Sequence, residues 1–207
     1  MKRKTGMICM ILGATLILGA LLLFLHNRYE EKIAAEEAAQ RLEQLLEQME
    51  ENKDDNDRML SDNLEVPEKY LDSDALEMRE IEINGHRYIG YLGIPSLGLE
   101  LPVMSEWDYE KLRIAPCRYY GSIRAENMVL MAHNYAYHFG HIADLTLGDK
   151  VSFADVLGIV TEYEVVGKDV LSPYAVEEMT SGDYDLTLFT CTYGGKSRVT
   201  VYCDRIK

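Results

Sequence analysis

Leu186-Thr187-Leu188-Phe189-Thr190-Cys191 and Arg198-Val199-Thr200-Val201-Tyr202-Cys203 are two runs rich in β-branched and aromatic residues, separated by a gap that contains Gly194-Gly195. Such a pair reads as a β-hairpin. Closing the loop over residues 192–197 sets Cys191 opposite Arg198, with Cβ atoms roughly 5 Å apart. In that register Leu186, Leu188 and Thr190 pair with Cys203, Val201 and Val199 on an apolar side that faces a core. Thr187, Phe189 and Cys191 then pair with Tyr202, Thr200 and Arg198 on the more polar side, where a site would sit. Arg205 is the rival cation, but it lies roughly 23 Å farther along an extended strand and on the opposite face.

A histidine completes the set. His133 follows the apolar run Met128-Val129-Leu130-Met131-Ala132, so it too sits at a strand end. Cysteine, histidine and arginine together supply a nucleophile, a proton donor or acceptor, and a fixed cation for a developing oxyanion.

Working outward, Asn84-Gly85 between Ile81-Glu82-Ile83 and residues 87–94 is a strong hairpin signal. Further strands are expected over 99–103, 128–132, 150–153 and 159–170. Their short lengths and Gly- or Asn-bearing gaps, with no long helices alternating between them, favour a mainly β fold and a closed or nearly closed barrel. Helix is expected only over 108–114 and as a turn near 138–145. Residues 80–207 are therefore read as the folded domain.

The rest of the chain is of different material. Of 207 residues and a net charge of −14, residues 1–28 carry +4, residues 29–80 carry −12 and residues 81–207 carry −6. An acidic chain of pI near 4.8 is a poor partner for nucleic acid. Residues 7–25 are apolar or small without a charge, and such a helix rises roughly 28 Å, about one bilayer core. Lys2, Arg3 and Lys4 precede it, which orients the N-terminus to the cytoplasm and the remainder outside. The run is longer than a typical signal-peptide core and no small-x-small cleavage site follows it, so residues 1–28 read as an uncleaved single-pass anchor. Residues 29–79 read as an acidic stalk or linker. Leu42, Leu45, Leu46 and Met49 mark an amphipathic helix in it, and the helical pattern is expected to lapse into a solvated hinge from Asn52 to Asn63.

Thr187-Leu188-Phe189-Thr190-Cys191, an arginine on the next strand and a histidine in Met131-Ala132-His133-Asn134 resemble the signature of the sortase family. The stretches Gly93-Ile94-Pro95-Ser96-Leu97-Gly98-Leu99-Glu100-Leu101-Pro102-Val103 and Gly148-Asp149-Lys150-Val151 also resemble strands of that family, so the likeness spans residues 88–206. It implies an eight-stranded closed β-barrel and a membrane-anchored cysteine transpeptidase of Gram-positive bacteria. Such enzymes cleave a Leu-Pro-x-Thr-Gly-like sorting signal and pass the acyl group to a cell-wall amine. By resemblance Cys191 is the nucleophile, His133 the acid for the leaving amine, Arg198 the donor to substrate and oxyanion, and Thr190 a residue lining the site. Residues 171–184 match the family's recognition loop by position. The short gap between Cys191 and Arg198 is closer to class B-like and related clostridial members than to class A. No hydrophobic segment follows the barrel and no Asp-Pro lid precedes it, which argues against a pilin polymerase.

Several readings compete. His133, His138 and His141 could be metal ligands, but no carboxylate or cysteine cluster completes the set, and His138 and His141 read better as surface or turn residues. No cofactor is expected. For calcium, Glu177, Glu178, Asp183 and Asp185 form either an acidic cluster or a solvated loop face. Cys117 and Cys203 read as two buried thiols, Cys9 as a small hydrophobe in the membrane, and Trp107 with Arg118-Tyr119-Tyr120 as packing over the barrel. A silent binding domain and a hydrolysing cysteine peptidase remain the alternative functions.

Overall fold

The computed structural model describes residues 2–61 and 78–206. Among these, nine strands form: β1 (Ile81–Ile83), β2 (His86–Ile94), β3 (Leu99–Met104), β4 (Cys117–Tyr120), β5 (Met128–Ala132), β6 (Lys150–Asp155), β7 (Val160–Leu171), β8 (Leu186–Cys191) and β9 (Arg198–Arg205). They run in the order β2-β3-β4-β5-β8-β9-β7-β6, and β6 pairs back onto β2. Eight strands thus close a barrel, with β1 added as a flap on β2. Closure pairs the edges that an open sheet would leave exposed. All neighbours are antiparallel except β3 with β4 and β5 with β8.

Two local devices make this possible. Asn84 and Gly85 both have positive φ, 52° and 78°, the geometry that lets a two-residue turn follow the strand twist. At the closing seam, a Cβ on Gly90 would overlap the Ala154 carbonyl, so only glycine permits β2 to approach β6.

The last hairpin has the register read from its sequence, with Leu186 opposite Cys203, Thr190 opposite Val199 and Cys191 opposite Arg198. Leu186, Leu188, Val201 and Cys203 lie in the barrel core. The other side of β8 is more covered than its polarity suggested, because Thr187 and Phe189 are buried there as well. α2 (Lys111–Ile114) and a 3-10 turn at Ile142–Asp144 fall inside the expected helical stretches. β4 and α3 (Val176–Thr180) were not foreseen.

The N-terminal segment departs from the sequence reading. α1 (Lys2–Ser61) is one helix, continuous through Asn52 to Ser61 where a hinge was expected. Residues 52–61 hold neither Gly nor Pro, so nothing in the backbone chemistry breaks the helix there. Residues 62–63 lie outside the described residues. Nor does α1 stand off as a free spacer. Ala34, Ala38 and Leu45 are buried, Ala38 within the main core and Leu45 among Ile81, Ile83, Tyr88, Met104 and Leu112. The Asn84 amide also donates to Gln44 Oε1 at 3.2 Å. Small residues at 34 and 38 let the helix lie close to the sheet, and Leu45 fills the space beyond them.

Candidate active site

Three adjacent strands build the site from their ends. β5 and β8 run in parallel with Ala132 beside Thr190, and β8 is antiparallel to β9 with Thr190 beside Val199. Ala132 and Thr190 are buried and face inward. The next residue on each of β5 and β8, and the preceding one on β9, points the other way by strand alternation. Those residues are His133, Cys191 and Arg198, set on neighbouring strands about 5 Å apart. All three are partly exposed.

Thr190 secures this arrangement from below. Its hydroxyl donates to the Ala132 carbonyl at 2.8 Å, tying the residue before Cys191 to the residue before His133. The 192–197 loop is closed by the Thr192 amide donating to Ser197 O at 3.0 Å and by Gly195 N to Thr192 O at 2.8 Å. Gly194 and Gly195 adopt φ of 83° and 70°, a left-handed turn that side chains disfavour. Arg198 Nη1 donates to the carbonyls of Gly195 and Ser197, each at 3.2 Å, so its guanidinium is held over the loop. Arg205 is at the other end of β9, bonded to Glu126 at 3.3 Å.

His133 is half-buried, and its ring stacks on Tyr135 with centroids 4.8 Å apart. Tyr135 in turn contacts His138 at 5.5 Å. Burial pushes His133 below the ordinary histidine range, the Arg113 guanidinium pushes the same way, and the Glu30 carboxylate on α1 opposes them. The neutral imidazole is thereby favoured. His138 lies in a turn, as its sequence context suggested, but not at the surface: it is fully buried, neither ring nitrogen has a protein partner, and burial lowers it to about 4. The apolar neighbours Phe139 and Ile142 carry it into the core with them. His141 is exposed and pairs with Asp144 at 3.1 Å.

The outer face of β5 and β8 leads away from Cys191 as an apolar floor. Val129, Phe189 and Met179 form a buried cluster, with Tyr119, Met131 and Leu171 packed against it. Met179 comes from α3 and Leu171 from the end of β7, so the 171–184 stretch folds over this floor. Trp107, Tyr119 and Phe189 continue it as a chain of rings, with centroids 5.7 and 5.2 Å apart. Beside them Ser105, Glu106, Trp107, Arg118, Tyr119, Tyr120 and Gly121 line a cavity of about 390 Å³.

Among the described residues, no group of three or more His, Cys, Asp or Glu side chains is placed to hold a metal. Glu177, Glu178 and Asp183 line a cavity next to Leu171 and Tyr184, while the Asp185 carboxylate accepts the Arg205 amide at 2.7 Å. Cys117 and Cys203 are free, buried in separate clusters, and burial pushes both thiols up to about 12. They are chemically silent at neutral pH. The sequence did not point to Tyr135, Arg113 or Glu30. Tyr135 lies two residues past His133 and was discoverable in principle; Glu30 sits a hundred residues away and carries no such signal.

The family model of the sortase domain matches residues 92–206. Among solved structures, sortase C1 of Streptococcus suis is 27% identical, with a TM-score of 0.52 over 59% of this chain and 74% of that one. Sortase C of Clostridium perfringens SM101 is 23% identical, with a TM-score of 0.52 over 81% and 90%. A sortase D5 transpeptidase of Clostridium perfringens is 20% identical, with a TM-score of 0.59 over 83% and 99%. No curated protein matches the chain.

Proposed function

Because the chain belongs to the sortase family, we propose that it is a membrane-anchored cysteine transpeptidase that cleaves a Leu-Pro-x-Thr-Gly-like sorting signal and joins the acyl fragment to a cell-wall amine. The observation that carries this reading is the shared strand-end placement of Cys191, His133 and Arg198. The Cys191 thiolate attacks the scissile carbonyl, and Arg198 donates to the oxyanion. The carbon–nitrogen bond then breaks as the His133 imidazolium gives its proton to the leaving amine, which leaves a thioester on Cys191. An acceptor amine attacks the thioester and loses a proton to the His133 imidazole, and the Cys191 thiolate departs. Splitting one amide exchange into two steps is the gain from the covalent intermediate.

Burial and the Arg113 guanidinium favour the neutral His133 imidazole, so the imidazolium that protonates the leaving amine is the minority form at neutral pH. The anchor is supported by the apolar stretch of α1, and the amine acceptor and recognition loop follow from the family likeness.

The test is incubation of the full chain in detergent with a library of fluorogenic sorting-signal peptides, with and without oligoglycine or diaminopimelate-bearing amines, beside Cys191→Ala. Cleavage that yields an amine adduct and is lost in Cys191→Ala supports the proposal. Cleavage without any adduct makes the chain a hydrolase, and no cleavage across the library moves it to a binding role.

A further inference from the structure

The His133 ring is held by a stack and not by a hydrogen bond. The Tyr135 ring lies against it with 4.8 Å between centroids and 28° between planes, within the spacing of favourable aromatic pairs. Among the described residues no protein group bonds either nitrogen of His133. The difference is chemical. A carboxylate bonded to one ring nitrogen would occupy that nitrogen and favour the charged ring. A stacked ring covers one face and leaves both nitrogens, which lie on the edge of the imidazole, open to a substrate. For a residue that gives a proton to one amine and takes a proton from another, this fixes orientation without tying up either nitrogen.

The backbone around the pair holds it in place. The Phe139 amide donates to the His133 carbonyl at 3.1 Å, and the amides of His138 and Gly140 both donate to the Tyr135 carbonyl, at 3.0 and 2.9 Å. The turn through residues 136–141 thus closes back on the two residues that carry the stacked rings. Gly140 is needed for that closure, since a Cβ there would lie 2.6 Å from the Tyr135 oxygen and 2.8 Å from the Asn134 oxygen. Phe139 and Ile142 are fully buried in the barrel core and fix the turn to it. The Tyr135 ring also meets that of His138, with centroids 5.5 Å apart and planes at 50°. His138 is fully buried, so Tyr135 joins the ring at the site to a ring in the interior.

We propose that Tyr135 is the positioning residue of His133: by stacking on the imidazole it sets the direction in which the ring presents its nitrogens, first to the leaving amine and then to the acceptor amine. This rests on the transpeptidase reading above. Tyr135 acts through His133 and not on the substrate. The plane of its ring is the part required, because neither the stack nor the backbone bonds of the turn use the hydroxyl. A misdirected acid is felt most in the step that needs its proton. When the scissile bond is an amide, the leaving amine takes the His133 proton as the carbon–nitrogen bond breaks. When it is a thioester, the Cys191 thiolate attacks the same carbonyl and the leaving group departs as a thiolate, with no proton required.

The experiment compares the full chain in detergent with Tyr135→Leu, which removes the ring plane, and Tyr135→Phe, which keeps it. Each is mixed with two analogues of one sorting-signal peptide, an amide and a thioester at the scissile bond, and acylation of Cys191 is followed in a single turnover by intact mass. Tyr135→Leu is expected to slow acylation by the amide about 10–100-fold and by the thioester less than about threefold, while Tyr135→Phe leaves both within about threefold. Equal losses on the two analogues in a Tyr135→Leu chain with unchanged near-ultraviolet circular dichroism overturn the proposal, as does a large loss in Tyr135→Phe. Tyr135→Met takes the place of Tyr135→Leu if the latter does not fold. The second measurement is nuclear magnetic resonance of the five histidines, with His133 assigned through His133→Gln. The carbon-bound ring protons of His133 are expected upfield, shifted by the ring current of Tyr135, in the unsubstituted and Tyr135→Phe chains, and at ordinary positions in Tyr135→Leu. Ordinary positions in the unsubstituted chain contradict the stack and the proposal with it. Absence of any acyl-enzyme in the unsubstituted chain overturns the transpeptidase reading instead, and the His133 resonances then decide whether Tyr135 holds the ring.

Discussion

Leu45→Ala tests whether α1 is part of the folded unit. Leu45 is fully buried where α1 meets Ile81, Ile83, Tyr88, Met104 and Leu112. Truncating a buried leucine to alanine costs about 2–5 kcal/mol, through lost transfer energy and the cavity that remains. A helix that can settle slightly toward the sheet places the value near the middle, about 3 kcal/mol. In a folded unit of this size 1 kcal/mol moves the midpoint by roughly 2–4 °C, so the expected shift is roughly 6–12 °C. The matched control is Leu46→Ala, whose side chain is 41% exposed at the edge of the groove between α1 and β2. It is expected to cost under about 1 kcal/mol. Thermal unfolding of the full chain in detergent, followed by near-ultraviolet circular dichroism of the barrel aromatics, reports on the barrel and not on the helix. A Leu45→Ala chain whose barrel melts with the unsubstituted one refutes the coupling, because a helix that merely tethers the domain cannot stabilise it.

Three other outcomes follow from the site. Arg198→Lys keeps the charge but loses the planar fork, and is expected to reduce kcat/KM by about 10²–10³, while Arg205→Lys, at the far end of β9, leaves it within a few-fold. Arg113→Gln removes a cation that depresses His133, so the acid limb of the pH–kcat/KM profile moves to higher pH and the plateau rises; Glu30→Gln does the reverse. For His138, whose folded value is lowered to about 4 against about 6.5 unfolded, the unfolded chain binds the proton first, and about 3 kcal/mol of stability is lost as pH falls through that window. Urea unfolding near pH 7 and near pH 4.5 checks this: the loss is expected to be smaller in His138→Phe, and an equal loss contradicts the assignment.

What the sequence revealed, and what it did not, has physical reasons. The β8–β9 register was legible because a two-residue alternation with one apolar face admits a single pairing once the loop is placed. That register set Cys191 opposite Arg198, and the parallel β5–β8 pairing, which no local pattern encodes, added His133. β4 was missed because Cys117-Arg118-Tyr119-Tyr120 is short, pairs through a bulge, and shows no clean alternation. The contact of α1 with the barrel was missed for a different reason. Its buried face begins with Ala34 and Ala38, whose small side chains give almost no hydrophobic signal and matter only because they permit close approach. Leu42, Leu45, Leu46 and Met49 were singled out, yet Leu45 alone is fully buried, so the stripe pointed near the right face without locating its centre. Thr190 was read as a residue lining the site; its hydroxyl is bonded inward to Ala132, so its contribution is to hold the strands that carry His133 and Cys191.

The central claim is that chemistry occurs at Cys191 and not at the other thiols. Intact-mass analysis of the full chain, quenched in acid during turnover of a sorting-signal peptide and then mapped by proteolysis, addresses it directly. A thioester of the peptide's acyl fragment on Cys191, absent in Cys191→Ala and not found on buried Cys117 or Cys203, is the predicted result. An acyl adduct on another residue, or turnover that survives Cys191→Ala, contradicts it.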